Sequence, residues 1–414
     1  IRLFNLYKQT IYRGLYDYII QFAKDRNYKI TVDSDKEKYN SVSFDDVKSY
    51  LTNNLKIPYN PHDHQIEAIK TSINKNRCLL LSPTGSGKSL MIYSLYSDFK
   101  EYSDKTDWDV EKYCHTIFAG QDKDTDKKVV ISTWQSIYKM NQKYFDHYHV
   151  VFGDECHLFK AKSLTNIMTK LINCPYRIGT TGTLDDSLTH KLVIEGLFGR
   201  VQNITTTKEL MEKNLLSHLN IDCITLKYRL EEINEIKRAK YDEEIKWILN
   251  NKKRNAFLVD LSCRVKGNTL ILFNYVKDHG IPLFESIQNS CGDKRVFLIH
   301  GKTEVQQREE IRNILEKEKN AILVASYGTC STGINIKNIN NIVFASPSRS
   351  VVRVLQSIGR GLRRTETKDK VKLYDISDDL RFKKYVNHTY RHLQERIKIY
   401  QREKFEYSSV SIKI

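Results

Sequence analysis

A glycine-rich stretch between an apolar run and a helical pattern constrains this chain more than any other feature. The apolar run Cys78–Leu81 leads into the stretch, and a helical pattern extends from Lys88 to Tyr102. A strand, a glycine turn and a helix in this order predict a loop whose backbone N–H groups wrap a phosphate chain at a helix N-terminus. We expect Lys88 to reach the β- and γ-phosphates and Ser89 to ligate Mg²⁺. The expected cradle comprises Pro83, Thr84, Gly85, Ser86, Gly87, Lys88 and Ser89.

Strand-sized apolar runs alternate with helical patterns through residues 62–205 and again through 268–375. Strands separated by helices imply right-handed crossovers, so the sequence predicts an α/β fold with two parallel-sheet units. The stretch 231–254 is dense in both signs of charge and is expected to form an exposed helical connector. The expected segments are a truncated N-terminal domain (1–57), the first unit (58–225), the connector (226–262), the second unit (263–377) and a basic helical extension (378–414).

Charge and cysteine spacing limit what kind of protein this is. The chain has 67 basic and 50 acidic side chains, and the net charge of +17 attracts polyanions unless it reflects only a lysine-rich genome. No apolar run approaches the ~20 residues that span a bilayer, so we expect no membrane span. The eight cysteines are scattered without a Cys-x-x-Cys pair, so we expect reduced thiols in a cytosol-like compartment and no zinc site.

A second group of candidate residues follows the apolar strand Val150–Gly153. Asp154 at the strand end is placed to hold Mg²⁺ through water, and Glu155 can orient and deprotonate an attacking water. His157 is expected to relay the state of the nucleotide to a neighbouring loop, and the hydroxyls of Thr181 and Thr183 are expected to bridge His157 to the second unit. An isolated Asp-Glu pair is more often a solvated strand end, so this prediction depends on the phosphate loop upstream.

Two stretches of the second unit are candidates for contacting a nucleotide. Arg360 and Arg363 lie three residues apart on a predicted helix, a spacing that aims both at one side, where they can stabilise the charge on a transferred phosphoryl group. The alternative is a basic helix end that binds a phosphate backbone or is solvated. Gly333 and Asn335 follow a strand and are expected near the ribose. Upstream of the phosphate loop, the amide of Gln65 can pair with an adenine edge.

Taken together, these residues resemble the superfamily 2 helicases of the DExH type. The ordered set is Gln65, Ser82–Ser89, Asp154–His157, Thr180–Thr183, Ser331–Asn335 and Gln356–Arg363. Further stretches resemble the recombination helicases of T-even phages, namely Thr133–Ser136, Gly153–Leu158, Val324–Gly328 and Ser331–Gly333. The resemblance implies two RecA-like parallel-sheet lobes, a small N-terminal α+β domain and a helical C-terminal extension.

The resemblance also implies an activity and roles for residues. It implies an ATP- and Mg²⁺-dependent monomer that acts on branched DNA, or on an RNA–DNA hybrid, in the cytoplasm of a phage-infected host cell. The residues that it makes catalytic are Lys88, Asp154, Glu155, Gln356, Arg360 and Arg363. The residues that it places near the nucleic-acid strand are Thr133, Trp134, Gln135, Phe273, His300 and Thr329.

Two departures from the family pattern keep other functions open. Only 66 residues separate Lys88 from Asp154, so we expect a strand with its nucleic-acid-contacting loop to be lacking near Leu95 and Tyr96, either because the first unit has lost it or because residues are omitted from this sequence. Asn335 stands where many relatives carry Asp, which weakens the expected ribose contact. The leading interpretation is an ATP-driven helicase or translocase; the alternatives are an ATP-binding nucleic-acid clamp that does not unwind, and an RNA helicase. The basic tail 378–414 either binds duplex arms or packs as a solvated helix.

Overall fold

The computed structural model describes residues 3–31, 41–96, 110–118, 120–184, 188–333, 336–346, 350–364 and 368–414. The chain divides into two compact units, 1–205 and 206–414. The sequence placed this boundary at 225/226. The difference arises because the strand His218–Lys227 pairs with strands of the second unit rather than the first. Among the described residues, no helix combines the length and apolar character that crossing a bilayer requires.

The first unit contains eight short strands and nine α-helices among its described residues. Its strands are β1 (Phe4–Asn5), β2 (Thr10–Ile11), β3 (Arg77–Leu81), β4 (Cys114–Ile117), β5 (Val129–Ser132), β6 (Val150–Gly153), β7 (Tyr176–Thr181) and β8 (Val201–Asn203). Its α-helices are α1 (Tyr16–Asp25), α2 (Phe44–Ser49), α3 (Asp63–Lys75), α4 (Lys88–Tyr96), α5 (Val110–Tyr113), α6 (Trp134–Ile137), α7 (Gln142–Phe145), α8 (Lys162–Lys170) and α9 (Leu188–Phe198).

The central sheet of the first unit is parallel, in the order β6-β7-β3-β8. Successive residues of β3 face opposite sides, so Cys78 and Leu80 pack with α3 and α4 while Leu79 packs with α8 and α9. The strands β4 and β5 form a separate parallel pair. Within the described part of the chain, no strand joins that pair to the four-stranded sheet.

Residues 1–57 share the core of the first unit. Val47 and Leu51 belong to the cluster around α3 and α4. At Gly14, a side chain would meet the Glu195 carbonyl oxygen at 2.0 Å, so the N-terminal segment lies directly on α9. The apolar and β-branched residues of Tyr28–Val32 predict a short strand, but residues 28–31 form none, and Val32 lies outside the described residues.

The second unit contains seven strands and nine helices among its described residues. Its strands are β9 (His218–Lys227), β10 (Thr269–Phe273), β11 (Val296–Ile299), β12 (Ile322–Ser326), β13 (Asn341–Phe344), β14 (Lys370–Asp379) and β15 (Glu406–Lys413). Its α-helices are α10 (Thr207–Glu212), α11 (Leu230–Ile236), α12 (Tyr241–Asn250), α13 (Lys252–Arg264), α14 (Ile281–Ser290), α15 (Val305–Lys317), α16 (Tyr327–Gly333), α17 (Val351–Gly361) and α18 (His388–Arg402).

All seven strands of the second unit form one parallel sheet, in the order β11-β12-β10-β13-β14-β9-β15. The strands β10, β12 and β13 are buried along their whole length, as expected for apolar runs covered by helices on both faces. The C-terminal extension is therefore not only helical. After α18 it ends in β15, which closes one edge of this sheet.

Two buried charged contacts make the predicted connector and extension part of the second unit. Arg254, at the end of the stretch expected to be exposed, is buried and donates to Asp378 at 2.8 Å. Arg396 of α18 is buried as well, and its guanidinium donates to both carboxylate oxygens of Asp375. The extension packs on the sheet through this ion pair, in agreement with the alternative of a solvated helix packed on the second unit, and its binding to duplex arms stays a prediction.

The cysteine prediction is wrong at one pair. Cys263 at the end of α13 and Cys291 just after α14 form a disulfide, with their Cα atoms 5.1 Å apart. The two helices pack side by side, which brings together residues that are 28 positions apart in the sequence. The remaining six cysteines are buried thiols outside the disulfide.

Candidate active site

The phosphate loop forms where the sequence places it, between the end of β3 and the start of α4. Gly85 and Gly87 have φ values of +88° and +83°, a region that L side chains rarely adopt. A Cβ at Gly87 would lie 2.1 Å from the amide nitrogen of Gln65, so glycine is required there for space as well. The Lys88 ammonium donates to the carbonyls of Ser82 at 3.0 Å and Pro83 at 3.2 Å, which holds it over the loop.

Side chains behind the loop fix its shape. The Ser82 hydroxyl donates to the Ser86 hydroxyl at 2.6 Å, a bond that glycine, the usual first residue of such a loop, cannot make. The Gln65 amide donates to the Ser86 carbonyl at 3.1 Å, and a ring nitrogen of His64 contacts the same oxygen at 2.8 Å. Gln65 therefore braces the loop, and its adenine contact stays a prediction. His64 was missed, although its place beside Gln65 on one helix was the available signal.

The acidic residues lie next to the loop because three parallel strands end at the same edge of the sheet. Gly153 of β6 pairs with Gly179 of β7, and Leu81 of β3 pairs with Thr181. This register places Asp154 beside Thr180, whose hydroxyl donates to the Asp154 carboxylate at 2.7 Å. The sheet edge thus gathers the phosphate loop, the acidic pair and the threonine loop, as ligand sites of open parallel sheets commonly do.

Glu155 and the predicted coupling residues form one connected chain. Glu155 has φ +48° and ψ +46°, a left-handed conformation that is uncommon for a side chain of this kind. Its carboxylate lies 3.3 Å from Nδ1 of His157, and that nitrogen is 3.0 Å from the Thr181 hydroxyl. Since the single Thr181 proton goes to the Thr183 carbonyl at 2.9 Å, Nδ1 of His157 carries the proton and donates.

The pKa of the Cys156 thiol reflects the burial and the charges of the site. Burial raises its pKa well above the usual range, and the charges of Asp154 and Glu155 raise it further while Lys88 opposes them. Lys88 and both acids therefore lie close enough to act on one buried atom. The thiol stays protonated, which excludes it as a nucleophile.

The residues present fit a magnesium ion held together with a nucleotide. Ser89 is exposed on the first turn of α4, and Asp154 is oriented by Thr180. Mg²⁺ in such sites is bound through one or two protein oxygens plus phosphates and waters rather than an all-protein cage. Consistent with this, the described residues contain no group of three His, Cys, Asp or Glu that could hold a metal alone.

The candidates of the second unit lie around the end of α17 and at α16. Gln356 and Arg360 are on α17, and the side chain of Arg360 lies outside what the structure describes. Arg363 follows two residues after the helix and is half-buried. Gly333 is the last residue of α16, and Asn335 lies outside the described residues.

Four of the six predicted nucleic-acid contacts lie at accessible positions. Thr133, Trp134 and Gln135 are exposed at the start of α6, directly after β5. The Trp134 ring stands edge-on to Tyr138 at 5.8 Å between ring centroids. His300 is half-buried at the end of β11, and its Nδ1 accepts from the backbone of Lys302 at 3.2 Å. Their contact with a strand stays a prediction.

The other two predicted contacts are corrected by burial. Phe273 is the last residue of β10 and is fully buried, and its ring fills the space beside Gly280. Its ring is part of the core and is not accessible to a nucleic-acid strand, and contact through its backbone stays a prediction. Thr329 is 5% exposed, and its hydroxyl lies 2.8 Å from the Ser326 hydroxyl, which leaves only its backbone as a candidate.

One accessible aromatic residue escaped the sequence analysis. Phe118 is 51% exposed and follows β4 at the level of Thr133, whose N–H donates to the Ile117 carbonyl at 3.2 Å. An aromatic residue that ends an apolar run shortly before a glycine was the signal for it. Phe118 and Trp134 thus present two exposed rings at neighbouring strand ends.

Comparison with known proteins agrees with this site. Residues 95–186 match the family described as type III restriction enzyme, res subunit, and residues 252–365 match the helicase conserved C-terminal domain. The chain is 31% identical to the ATP-dependent DNA helicase uvsW of Enterobacteria phage T4, over 98% of this chain and 89% of that one. The alignment spans 451 positions, so the T4 protein contains residues without a counterpart here.

Solved structures are similar as well. The crystal structure of T4 UvsW matches 100% of this chain and 90% of that chain at 27% identity, with a TM-score of 0.43. A fragment described as an HsdR subunit of a type I restriction enzyme from Vibrio vulnificus matches 90% of this chain and 72% of its own, at 17% identity and a TM-score of 0.66, and shows the fold alone. The predicted α/β fold and the predicted class, an ATP-hydrolysing helicase that binds nucleic acid, are confirmed. On the site and on the identity to the T4 helicase, the chain belongs to the superfamily 2 helicases, in the family of phage UvsW.

Proposed function

We propose that this protein is an ATP-driven DNA helicase or translocase that acts on branched DNA in phage recombination and repair. Junction migration, fork regression and unwinding of D-loops and R-loops are the reactions that this function includes. The observation that carries the proposal is the strand register that brings the phosphate loop and the acidic pair to one sheet edge, in a chain similar to an ATP-dependent DNA helicase. A clamp that only binds ATP has no use for a water-orienting carboxylate there.

In this function the first unit binds and cleaves ATP. Lys88 and the backbone of the loop hold the β- and γ-phosphates, while Ser89 and Asp154 hold Mg²⁺, which neutralises phosphate charge when bound. Glu155 orients the attacking water and accepts its proton. The strained backbone of Glu155 supports this role, because strain of this kind concentrates at functional sites.

The hydrogen-bonded chain from Glu155 carries the state of the nucleotide onward. His157 donates to Thr181, and Thr181 donates to Thr183, so a change at the Glu155 carboxylate alters the threonine loop in two steps. Coupling of this kind needs a continuous physical network, and every link here is shorter than 3.4 Å.

The second unit supplies positive charge to the reaction. Arg360 and Arg363 act on the γ-phosphate as it separates, with Gln356 beside them, and Gly333 and Asn335 contact the ribose. Arginines that meet developing charge raise the rate of phosphoryl transfer far more than they raise nucleotide affinity. Gln65 pairs with the adenine edge through the bonding capacity that its two contacts leave unused.

Nucleic acid is bound mainly through phosphate charge and base stacking. Thr133, Trp134, Gln135 and His300 contact the strand, and Phe118 adds a second stacking ring next to Trp134. The net charge of +17 supplies the salt-dependent part of the affinity, so little sequence preference is expected. The protein works as a monomer in the phage-infected host cell, with branched DNA preferred over an RNA–DNA hybrid.

One structural observation favours a second candidate, a nucleic-acid clamp without unwinding. The pair β4–β5, which carries Phe118 and Trp134 at its ends, is hydrogen-bonded to no other described strand. If this pair moves independently of β6, ATP hydrolysis would not be transmitted to the bound strand. Because the geometry of the ATP site is intact, such a clamp would still hydrolyse ATP. It would lose only the coupling of hydrolysis to movement of the bound nucleic-acid strand.

The test is release of a labelled strand from forked DNA by the wild-type protein and by Glu155→Gln. We expect the wild type to release the strand with ATP, and Glu155→Gln to be at least ~100-fold slower while still binding ATP, because the general base is lost. The matched control is Glu231→Gln, the same chemical change at an exposed position of α11. Equal strand release by Glu155→Gln and Glu231→Gln would contradict the assignment of Glu155.

A further inference from the structure

A buried lysine sits at the C-terminal end of the helix that carries Gln356 and Arg360. The Lys368 ammonium donates to the carbonyl of Gly361, the last residue of α17, at 2.8 Å, and to the carbonyl of Lys337 at 2.5 Å. Lys368 is 2% exposed. A cation at this end of a helix satisfies carbonyls that have no partner within the helix and favours the helix dipole.

The two carbonyls belong to the two stretches of this unit that the proposed function assigns to the nucleotide. Gly361 ends α17 and lies two residues before Arg363, while Lys337 lies four residues after Gly333. The backbone of Lys337 is in turn held by Glu316 of α15, whose carboxylate accepts from its N–H at 2.7 Å. A single ammonium thus ties the arginine segment to the segment after α16.

The opposite side of the arginine segment is fixed by residues 214–218. The Ser217 N–H donates to the Leu362 carbonyl at 2.8 Å, and Leu216 forms a bridge with Arg363. The Arg364 guanidinium donates to the Asn214 carbonyl at 2.8 Å, and the Ser217 hydroxyl donates to the Lys368 carbonyl at 3.3 Å. The segment that carries Arg363 is therefore held at Gly361 by the Lys368 ammonium and at Leu362 by the Ser217 N–H. Lys368 takes part in both attachments, because its own carbonyl accepts from the Ser217 hydroxyl.

Burying this ammonium costs desolvation free energy. Burial lowers the pKa of Lys368 to about 8, with the Glu316 charge opposing the shift and the nearby Arg363 charge adding to it. The two hydrogen bonds described for this ammonium both go to backbone carbonyls. A methionine of similar length would fill the space without this penalty, so packing alone does not explain a lysine here.

We propose that Lys368 is a positioning residue for ATP hydrolysis, which holds Arg363 in the conformation that stabilises the transferred phosphoryl group. This inference rests on the proposed role of Arg363. Lys368 contacts no nucleotide itself. Since arginines of this kind act on the transition state, misplacing one lowers kcat and leaves the KM for ATP nearly unchanged.

The chain provides a matched control in Lys294. Its ammonium donates to the carbonyls of Ser262 at 2.9 Å and Val265 at 2.5 Å, at the C-terminal end of α13, and burial lowers its pKa as well. Lys294 thus caps a helix of the same unit with the same two-carbonyl arrangement, away from every residue assigned to the nucleotide. Any effect of removing a helix-capping ammonium as such appears in both variants.

The test measures steady-state ATP hydrolysis by Lys368→Met, Lys368→Arg and Lys294→Met, with thermal unfolding of each. We expect Lys368→Met to lower kcat by ~10- to 100-fold with the KM for ATP within ~2-fold of wild type. Lys368→Arg, which again offers two donors, restores most of kcat, and Lys294→Met hydrolyses ATP as the wild type does. Should Lys368→Met fail to fold, Lys368→Gln replaces it, with a smaller loss in kcat because its amide still reaches one carbonyl.

Two outcomes overturn the inference, and a further variant separates it from the proposed function. Equal kcat in Lys368→Met and Lys294→Met contradicts it, as does a kcat loss that follows the loss of thermal stability equally in both. Arg363→Ala is measured alongside. If Arg363→Ala hydrolyses ATP normally, the proposed function fails; if it is inactive while Lys368→Met is normal, only the role of Lys368 fails.

Discussion

The two main parallel sheets of this protein differ in how many described strands they contain, and the difference shows what the active site depends on. In the second unit, seven strands form one sheet, and β10, β12 and β13 are buried throughout. In the first unit, four strands form the sheet, the pair β4–β5 is separate, and the apolar residues of β6 are only half-buried. Yet the first unit carries the catalytic constellation. Three adjacent strand ends suffice to assemble it, whatever the width of the sheet.

The largest expected effect is on the free energy of unfolding, when the buried ion pair between the C-terminal extension and the second sheet is removed. Arg396→Met leaves the Asp375 carboxylate buried without its main partner, and we expect the free energy of unfolding to fall by ~3–5 kcal/mol. Urea unfolding measures this change. Lys398→Met is the control, since it removes an exposed ion pair with Glu395 on the same helix and costs at most ~1 kcal/mol. Similar losses in the two variants would mean that the extension is not part of this core.

A second prediction compares the two sheets directly by amide hydrogen exchange. The described neighbours of β5 and β6 cover them less than those of β10 and β12, so local opening needs less free energy there. We expect protection of β5 and β6 to be ~100-fold lower or more. Equal protection in both units would show that the first sheet is as cooperative as the second, and the difference drawn above would not hold.

The smallest expected effect is at the exposed end of the separate pair. Trp134→Ala removes a stacking ring that is 37% exposed, and we expect single-stranded DNA to bind ~10-fold more weakly at fixed salt. Fluorescence anisotropy measures the affinity. Tyr407→Ala removes an equally exposed ring from β15, at the outer edge of the second sheet, and should leave the affinity unchanged. A loss shared by both variants would assign the binding to general surface character.

The sequence predicts the placement of site residues well where they directly follow the ends of strands. Lys88, Asp154 and Thr181 each follow an apolar run, and parallel strands bring their ends to one edge, so proximity follows from pattern alone. Phe273 shows the limit of this reasoning. It also ends a strand, but its burial depends on Gly280, which follows in the next turn, and no period or motif indicates that contact.

Long-range contacts are what the sequence could not predict. The disulfide joins cysteines 28 residues apart, and β15 pairs with a strand almost two hundred residues earlier through an exposed, serine-rich segment. From the sequence alone, Lys368 cannot be told from a surface lysine in a basic stretch. Only the structure shows its two carbonyl partners. A side chain that donates to the backbone of a residue far away in the sequence leaves no spacing pattern from which the contact could be predicted.

The central claim is that the four described strands of the first sheet form a working motor site that responds to DNA. The most direct measurement is the rate of ATP hydrolysis by the wild-type protein without DNA, with single-stranded DNA and with forked DNA. The account predicts turnover that rises at least ~10-fold with DNA, most with the fork, and that Glu155→Gln abolishes. Turnover that is absent, or that stays the same with and without DNA, would contradict it.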